Sequence, residues 1–311
     1  MVGVGHLGRH HARVAASLPG IRVTGVHDHH EGRAAEVARD LSLPILTSLE
    51  DVAREADAVV LATPTVSHAE LASYFLDRGK DLLIEKPMTV TLEEAESLLE
   101  RARRGGRIVA VGHVERHNPA FGAALSIVET PRFVEAHRLA PFTPRSLDVD
   151  VVLDLMIHDL QLVLALVGKP VREIRAAGLP VLTPRLDIAN ARIAFEGGCV
   201  ANLTASRVSS GRTRKCRIFA ASLYVSVDLQ ARTLAAFRLS REKAQPEIVP
   251  VQVEVAPEDP LTRQLADFAR AVRERGRPLV AGEDGRDALA LAHQVLAAIE
   301  EHRRSVDGVS A

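Results

Sequence analysis

The chain has 311 residues, 47% of them hydrophobic and 25% charged, which excludes disordered and fibrous classes and leaves room for two domains of about 100–200 residues each. Lys+Arg 39 against Asp+Glu 40 leave a formal charge of -1, so no global basic field points to nucleic acid or to an anionic membrane surface. Cys199 and Cys216 fall in strand-like runs without metal-ligand spacing, no run approaches ~18 apolar residues, and the amino terminus lacks a signal peptide's pattern, so a reducing cytoplasm is expected.

The first elements alternate. Gly3-x-Gly5-x-x-Gly8 runs into a helical pattern over residues 12–18. In this arrangement one glycine makes a tight turn, the next lets backbone approach a pyrophosphate, and the third allows close helix packing. His6 and Leu7 complete that loop. A strand predicted over residues 21–27 ends at Asp28, about 20 residues beyond the glycines, where a carboxylate can accept the hydroxyls of an adenosine ribose. An acid there favours NAD over NADP, with His29, His30 and Arg33 close by as the counter-argument; Asp28 can also be read as a turn or cap residue. Only Met1 and Val2 precede Gly3, whereas a central first strand needs about five residues, so that strand is expected to be clipped and cofactor affinity reduced.

Helices are predicted over residues 33–41, 49–55, 69–78 and 92–104, and strands over 45–46, 58–62, 82–84 and 108–111. Such alternation implies a parallel sheet, which binds ligands at the carboxyl ends of its strands. Thr63 and Pro64 follow one strand end. His68 opens the next helix, either lining the site or bonding locally. Glu85-Lys86-Pro87 follows another strand end, where the Lys86 ammonium can stabilise oxygen charge that develops during a reaction; a solvated strand-end lysine is the plain alternative. The segment from Gly112 to Pro119, containing Arg116, reads as the exit from a first domain of residues 1–117.

Taken in order, Gly3-x-Gly5-x-x-Gly8, Asp28, Ala62-Thr63-Pro64 with His68, and Glu85-Lys86-Pro87 resemble the glucose-fructose oxidoreductase, inositol dehydrogenase and rhizopine-catabolism family of nicotinamide-dependent sugar dehydrogenases. The resemblance implies an α/β Rossmann domain with a parallel sheet, followed over residues 118–311 by an α+β domain for substrate and oligomerisation. It implies NAD held by the glycine loop, Asp28, Thr63, Pro64, His68 and Glu85, with Lys86 beside the nicotinamide and the reacting hydroxyl. A cis Lys86-Pro87 bond is implied too.

Residues 150–168 read as one buried helix, with Asp150 as N-cap and Gly168 as stop. Asp154, His158 and Gln161 fall at i, i+4 and i+7 on one stripe, an oriented imidazole suited to proton transfer; a histidine satisfied within a core is the alternative. Against the family pattern Asp-x-Gly-x-His-x-x-Asp, Met156 replaces the glycine and Gln161 the last acid, while Asp159 reads as structural or as a partner behind the site. Strands predicted over 132–140, 171–178, 188–196, 199–206, 215–220, 223–228, 233–239 and 248–255 make a large, mainly antiparallel open sheet. Helices over 260–275, with Leu261, Leu265, Phe268 and Val272 on one stripe, and over 286–302 are expected to cover one face. The other face is left for a homodimer or homotetramer. No metal is expected, because His10-His11 and His27-x-His29-His30 lack converging acids or thiols.

Arg116, Arg138, Arg145 and Arg207 are candidates to meet an anionic substrate, each against a surface alternative. Residues 111–119, 137–145 and 150–159 resemble the branch of the family that contains UDP-N-acetylglucosamine 3-dehydrogenase, although His117 stands where phenylalanine is usual. That branch implies oxidation of the sugar C3 hydroxyl to a ketone for later transamination, on the route to amide-linked lipid A. On this reading His158, oriented by Asp154, takes the hydroxyl proton, Lys86 stabilises alkoxide charge, and hydride passes to NAD. The reverse assignment, with Lys86 as base, stays open. Another sugar or inositol dehydrogenase and a non-catalytic NAD or sugar sensor are the alternatives.

Overall fold

The computed structural model describes residues 1–143, 149–241 and 245–307. In chain order the elements are α1 (His6–Ser17), α2 (Glu31–Leu41), α3 (Leu49–Glu55), β1 (Ala58–Leu61), α4 (His68–Leu76), β2 (Asp81–Ile84), α5 (Leu92–Gly105), β3 (Val109–Val111), α6 (Pro119–Ile127) and β4 (Pro131–Leu139). There follow α7 (Ile157–Val167), β5 (Val171–Leu179), β6 (Ile188–Phe195), β7 (Val200–Ser206), β8 (Thr213–Ala220), β9 (Leu223–Asp228), β10 (Thr233–Ser240), β11 (Glu247–Val251), α8 (Pro260–Glu274) and α9 (Gly282–Asp307). They form two compact units, Met1–His117 with Glu258–Leu289, and Asn118–Pro257 with Ala290–Ala311. Helix α8 and the start of α9 therefore belong with the first unit, whereas the sequence reading put all of 118–311 in the second domain. The cause is a shared core: Leu265 and Phe268 of α8 pack with Val14 and Ala15 of α1, Leu83 of β2 and Ala110 of β3.

In the first unit β2 pairs in parallel with β1 and with β3. Single bridges extend this sheet, joining Val2 to both Leu61 and His27, and Val26 to Ile45. The resulting order is that of a doubly wound nucleotide-binding sheet. The strand predicted over residues 21–27 is paired only at Val26 and His27. Its earlier residues line a cavity together with Met1, Ala58, Val60 and Phe268. The Met1 amine donates to the Gly25 carbonyl at 3.1 Å, and burial pushes its pKa down to about 6. Helix ends follow local chemistry: Thr91 caps α5 in a reciprocal box with Glu94, and Gly106, at φ 61°, ends it.

In the second unit eight strands lie in the order β11-β10-β9-β8-β4-β7-β6-β5, antiparallel except for the β4–β7 pair. Alternation along β4 buries Val134, Ala136 and Arg138 on one face. Helix α7 packs against β4 and β7, and α6 against β9 and β10. Ile299 of α9 approaches Gly178 of β5. These helices, rather than α8, cover the face. The opposite face carries Phe133, Phe219, Tyr224 and Phe237, a row across β4, β8, β9 and β10 with ring centroids 5.8, 5.0 and 6.4 Å apart.

The helix expected to start at Asp150 differs too. A π-helical turn, Val152–Met156, precedes α7, so Asp154 lies on a wider turn than the α-helical one that carries His158. Asp150 is no side-chain cap. Its Oδ1 accepts the Leu186 N–H at 2.9 Å, and its carbonyl accepts that of Asp154 at 3.0 Å. Among the described residues no helix is long and apolar enough to cross a membrane.

Candidate active site

The glycine loop is built for close approach. A Cβ on Gly8 would lie 1.9 Å from the Gly3 carbonyl oxygen, while Gly3 takes φ +79° against the Ala62 backbone. Neither position accepts a side chain. Helix α1 starts at His6 with no side-chain cap and no acid in its first turn, a terminus whose N–H groups suit an anion; His6 and Leu7 are exposed there. Asp28 is buried, its Oδ2 accepting the Val4 N–H and its Oδ1 that of His30, both at 2.9 Å, with Arg33 at 3.4 Å. Burial pushes its carboxyl up, but these N–H groups and Arg33 outweigh that and hold it below its ordinary value. A pocket beside it is lined by Val2, Gly3, Leu49, Thr63, Pro64 and Leu71. Glycine cradle, bare helix terminus, ionised Asp28 and apolar pocket together fit a dinucleotide.

Beta-strand β2 delivers Glu85, Lys86 and a cis Pro87. Glu85 is buried and Lys86 half-buried. Oε1 of Glu85 lies 2.6 Å from Nε2 of His11, and Oε2 accepts the Lys86 N–H at 3.2 Å. His68 does not line the pocket surface. It is buried, with Nδ1 3.0 Å from the Pro87 carbonyl and Nε2 2.9 Å from that of Thr63, and burial lowers its pKa against the pull of those carbonyls. The sequence reading missed His11, Gly112 and His113 around this turn. The signal for His11 was present, since it shares the buried stripe of α1 with Gly8, Ala12 and Ala15. Arg116 is half-buried in the same unit; burial lowers its pKa, with Asp284 opposing.

In the second unit Asp154 and His158 are both half-buried at the start of α7, while Met156 and Gln161 are buried. Arg138 does not offer its charge to a ligand. Its Nε and a terminal nitrogen each donate to a different oxygen of Asp159 at 2.8 Å, with both side chains 4% exposed. Arg207 is buried as well, donating to the Val149 carbonyl and lying 3.8 Å from Asp187. Arg145 lies outside the described residues. Among the described residues no cluster of His, Cys, Asp and Glu could hold a metal ion.

Residues 1–113 match the family model described as an oxidoreductase family with an NAD-binding Rossmann fold, and residues 129–222 match that of the GFO/IDH/MocA C-terminal domain. The chain is 39% identical over 310 residues to UDP-N-acetylglucosamine 3-dehydrogenase of Acidithiobacillus ferrooxidans, with 96% of each chain covered. A solved structure of UDP-N-acetylglucosamine 3-dehydrogenase from the same bacterium matches with a TM-score of 0.88 and 40% identity, again over 96% of each chain. The NAD(+)-dependent scyllo-inositol 2-dehydrogenase of Bacillus subtilis is 29% identical over 230 residues, 67% of each chain.

Proposed function

Because this chain belongs to the GFO/IDH/MocA family of NAD-binding oxidoreductases, we propose that it oxidises the C3 hydroxyl of UDP-N-acetylglucosamine to the 3-keto sugar. The observation that carries this reading is Lys86, at the carboxyl end of β2 with its backbone N–H held by the buried Glu85 carboxylate, in a chain that follows the Acidithiobacillus enzyme along 96% of its length. NAD supplies the hydride acceptor when bound. N–H groups at the start of α1, Asp28, Thr63 and Pro64 would hold it. His158 takes the hydroxyl proton, with Asp154 orienting the imidazole and offsetting its charge, and Lys86 stabilises the developing alkoxide. Arg116 and Arg145 are the arginines assigned to the diphosphate; Arg138 is withdrawn from that role by its pairing with Asp159.

The enzyme is placed in the cytoplasm, where a 3-keto sugar is ready for transamination toward amide-linked lipid A. Two or four copies associate through the open sheet face, whose aromatic row of Phe133, Phe219, Tyr224 and Phe237 supplies the apolar contact. Light scattering on Phe237→Lys, expected to give a smaller particle, tests the association. The reaction is tested by near-ultraviolet absorbance of reduced nicotinamide, with NAD, UDP-N-acetylglucosamine and an aminotransferase to remove product. Absorbance that grows with this sugar nucleotide and vanishes in Lys86→Ala supports the proposal. Absorbance with an inositol and none with the sugar nucleotide would overturn the substrate.

A further inference from the structure

We propose that His11 and Glu85 are positioning residues for Lys86, tying the cofactor helix to the turn that carries it; this rests on the role given to Lys86 above. A buried histidine holds the chain on each side of that lysine. On one side Nε2 of His11 meets Oε1 of Glu85 at 2.6 Å, the two side chains being 2% and 9% exposed. A carboxylate only accepts, so Nε2 carries the proton. On the other side His68 meets the Pro87 carbonyl. Residues 85 and 87 are thus fixed, and Lys86 between them is the half-exposed member of the turn.

Three elements converge on the Glu85 carboxylate. His11 comes from α1, Glu85 from the end of β2, and Gly112 follows β3 so closely that a Cβ there would lie 2.7 Å from Oε1. Gly112 therefore leaves the space the carboxylate occupies. Burial pushes the Glu85 carboxyl up, but His11 and Lys86 outweigh it and keep it ionised. His113 is pushed down to about 3, by burial first and then by the Lys86 charge, so it stays neutral and does not offset that carboxylate. One Glu85 oxygen is thus held by His11 and the other by the Lys86 backbone N–H, which ties the main chain of the lysine to α1.

The test follows the Lys86 amine in the full chain, without substrate. Its reductive methylation is timed by peptide mass spectrometry, and NADH affinity is measured by fluorescence alongside. His11→Leu and Glu85→Gln should each speed labelling about tenfold, because the turn that presents the amine loses its tether to α1 and opens more often. His11→Gln, which keeps an N–H toward Glu85, should stay within about twofold of the parent protein, and the pair His11→Leu/Glu85→Gln should label no faster than either change alone. Where the parent turns over UDP-N-acetylglucosamine, kcat should fall about 10- to 100-fold in the two fast-labelling variants with KM for NAD unchanged. Folded His11→Leu and Glu85→Gln proteins that label at the parent rate would overturn the proposal. If His11→Leu does not fold, Glu85→Gln decides alone. A parent that labels as expected yet turns over no sugar nucleotide would sink the proposed reaction and leave the positioning result standing.

Discussion

Removing Arg138 by itself would strand a carboxylate inside the second unit, since Asp159 is 4% exposed and receives both arms of the guanidinium fork. Arg138→Met should therefore cost about 3–5 kcal/mol in a urea titration, and Arg138→Met/Asp159→Leu should regain most of it, because a buried pair is dear to break and cheap to replace. A single variant with parental stability and a raised KM for substrate would instead restore the arginine to ligand binding. The contrast with the glycine loop is physical. Gly3, Gly5, Gly8 and Asp28 were legible because their spacing encodes local geometry within one turn and one strand. The partner of Arg138 is set by the packing of α7 on β4, a relation between residues 21 apart that no periodicity discloses.

Local chemistry also decides the elements. The reciprocal cap of α5 has Thr91 Oγ1 accepting from the Glu94 N–H at 3.2 Å and Glu94 accepting in return at 3.1 Å. Thr91→Ala should cost about 1 kcal/mol, read as a lowered Tm with turnover unchanged. Helix α6 escaped the sequence reading although Asn118 caps it and Pro119 opens it, a start signal that was instead read as a domain exit. The π-helical turn before α7 left no comparable mark. Its apolar run scans equally well as α-helix, and the register is settled by bonds to other segments, Asp150 to the loop at Leu186 among them. The strand expected over 21–27 shows a further limit. Apolar residues announce a strand, but pairing needs a neighbour, and here only single bridges form, at Val26 and His27.

Over the whole molecule, burial has pushed several bases in one direction: the Met1 amine to about 6, His117 to about 4 and His113 to about 3. A base whose folded pKa lies below its ordinary value leaves the unfolded chain holding more protons between the two, so stability rises with pH across that window. For Met1 the window runs from about 6 to 8.0, and for the two histidines from 6.5 down to about 4 and about 3. Urea midpoints should fall steadily from pH 8 to pH 5; a flat profile would show that these groups are hydrated in the folded protein. The sheet architectures were readable from alternating patterns, whereas the return of α8 to the first unit was not. An amphipathic stripe of Leu261, Leu265, Phe268 and Val272 demands an apolar surface without saying which one.

A purification handle fused ahead of Met1 would be no bystander. Peptide linkage turns the buried ammonium into a neutral amide, relieving a penalty of about 2–3 kcal/mol below pH 6, and sends the added residues toward the cavity between Ile21, Val23, Ala58 and Val60. A handle rich in β-branched residues would lengthen the strand into that cavity, whereas a polar one would compete for Arg22, Thr24, Asp57 and Arg273 on its walls. Two preparations that differ only in their tags would then differ in melting temperature, and a crystallographer comparing them would be comparing two different sheets.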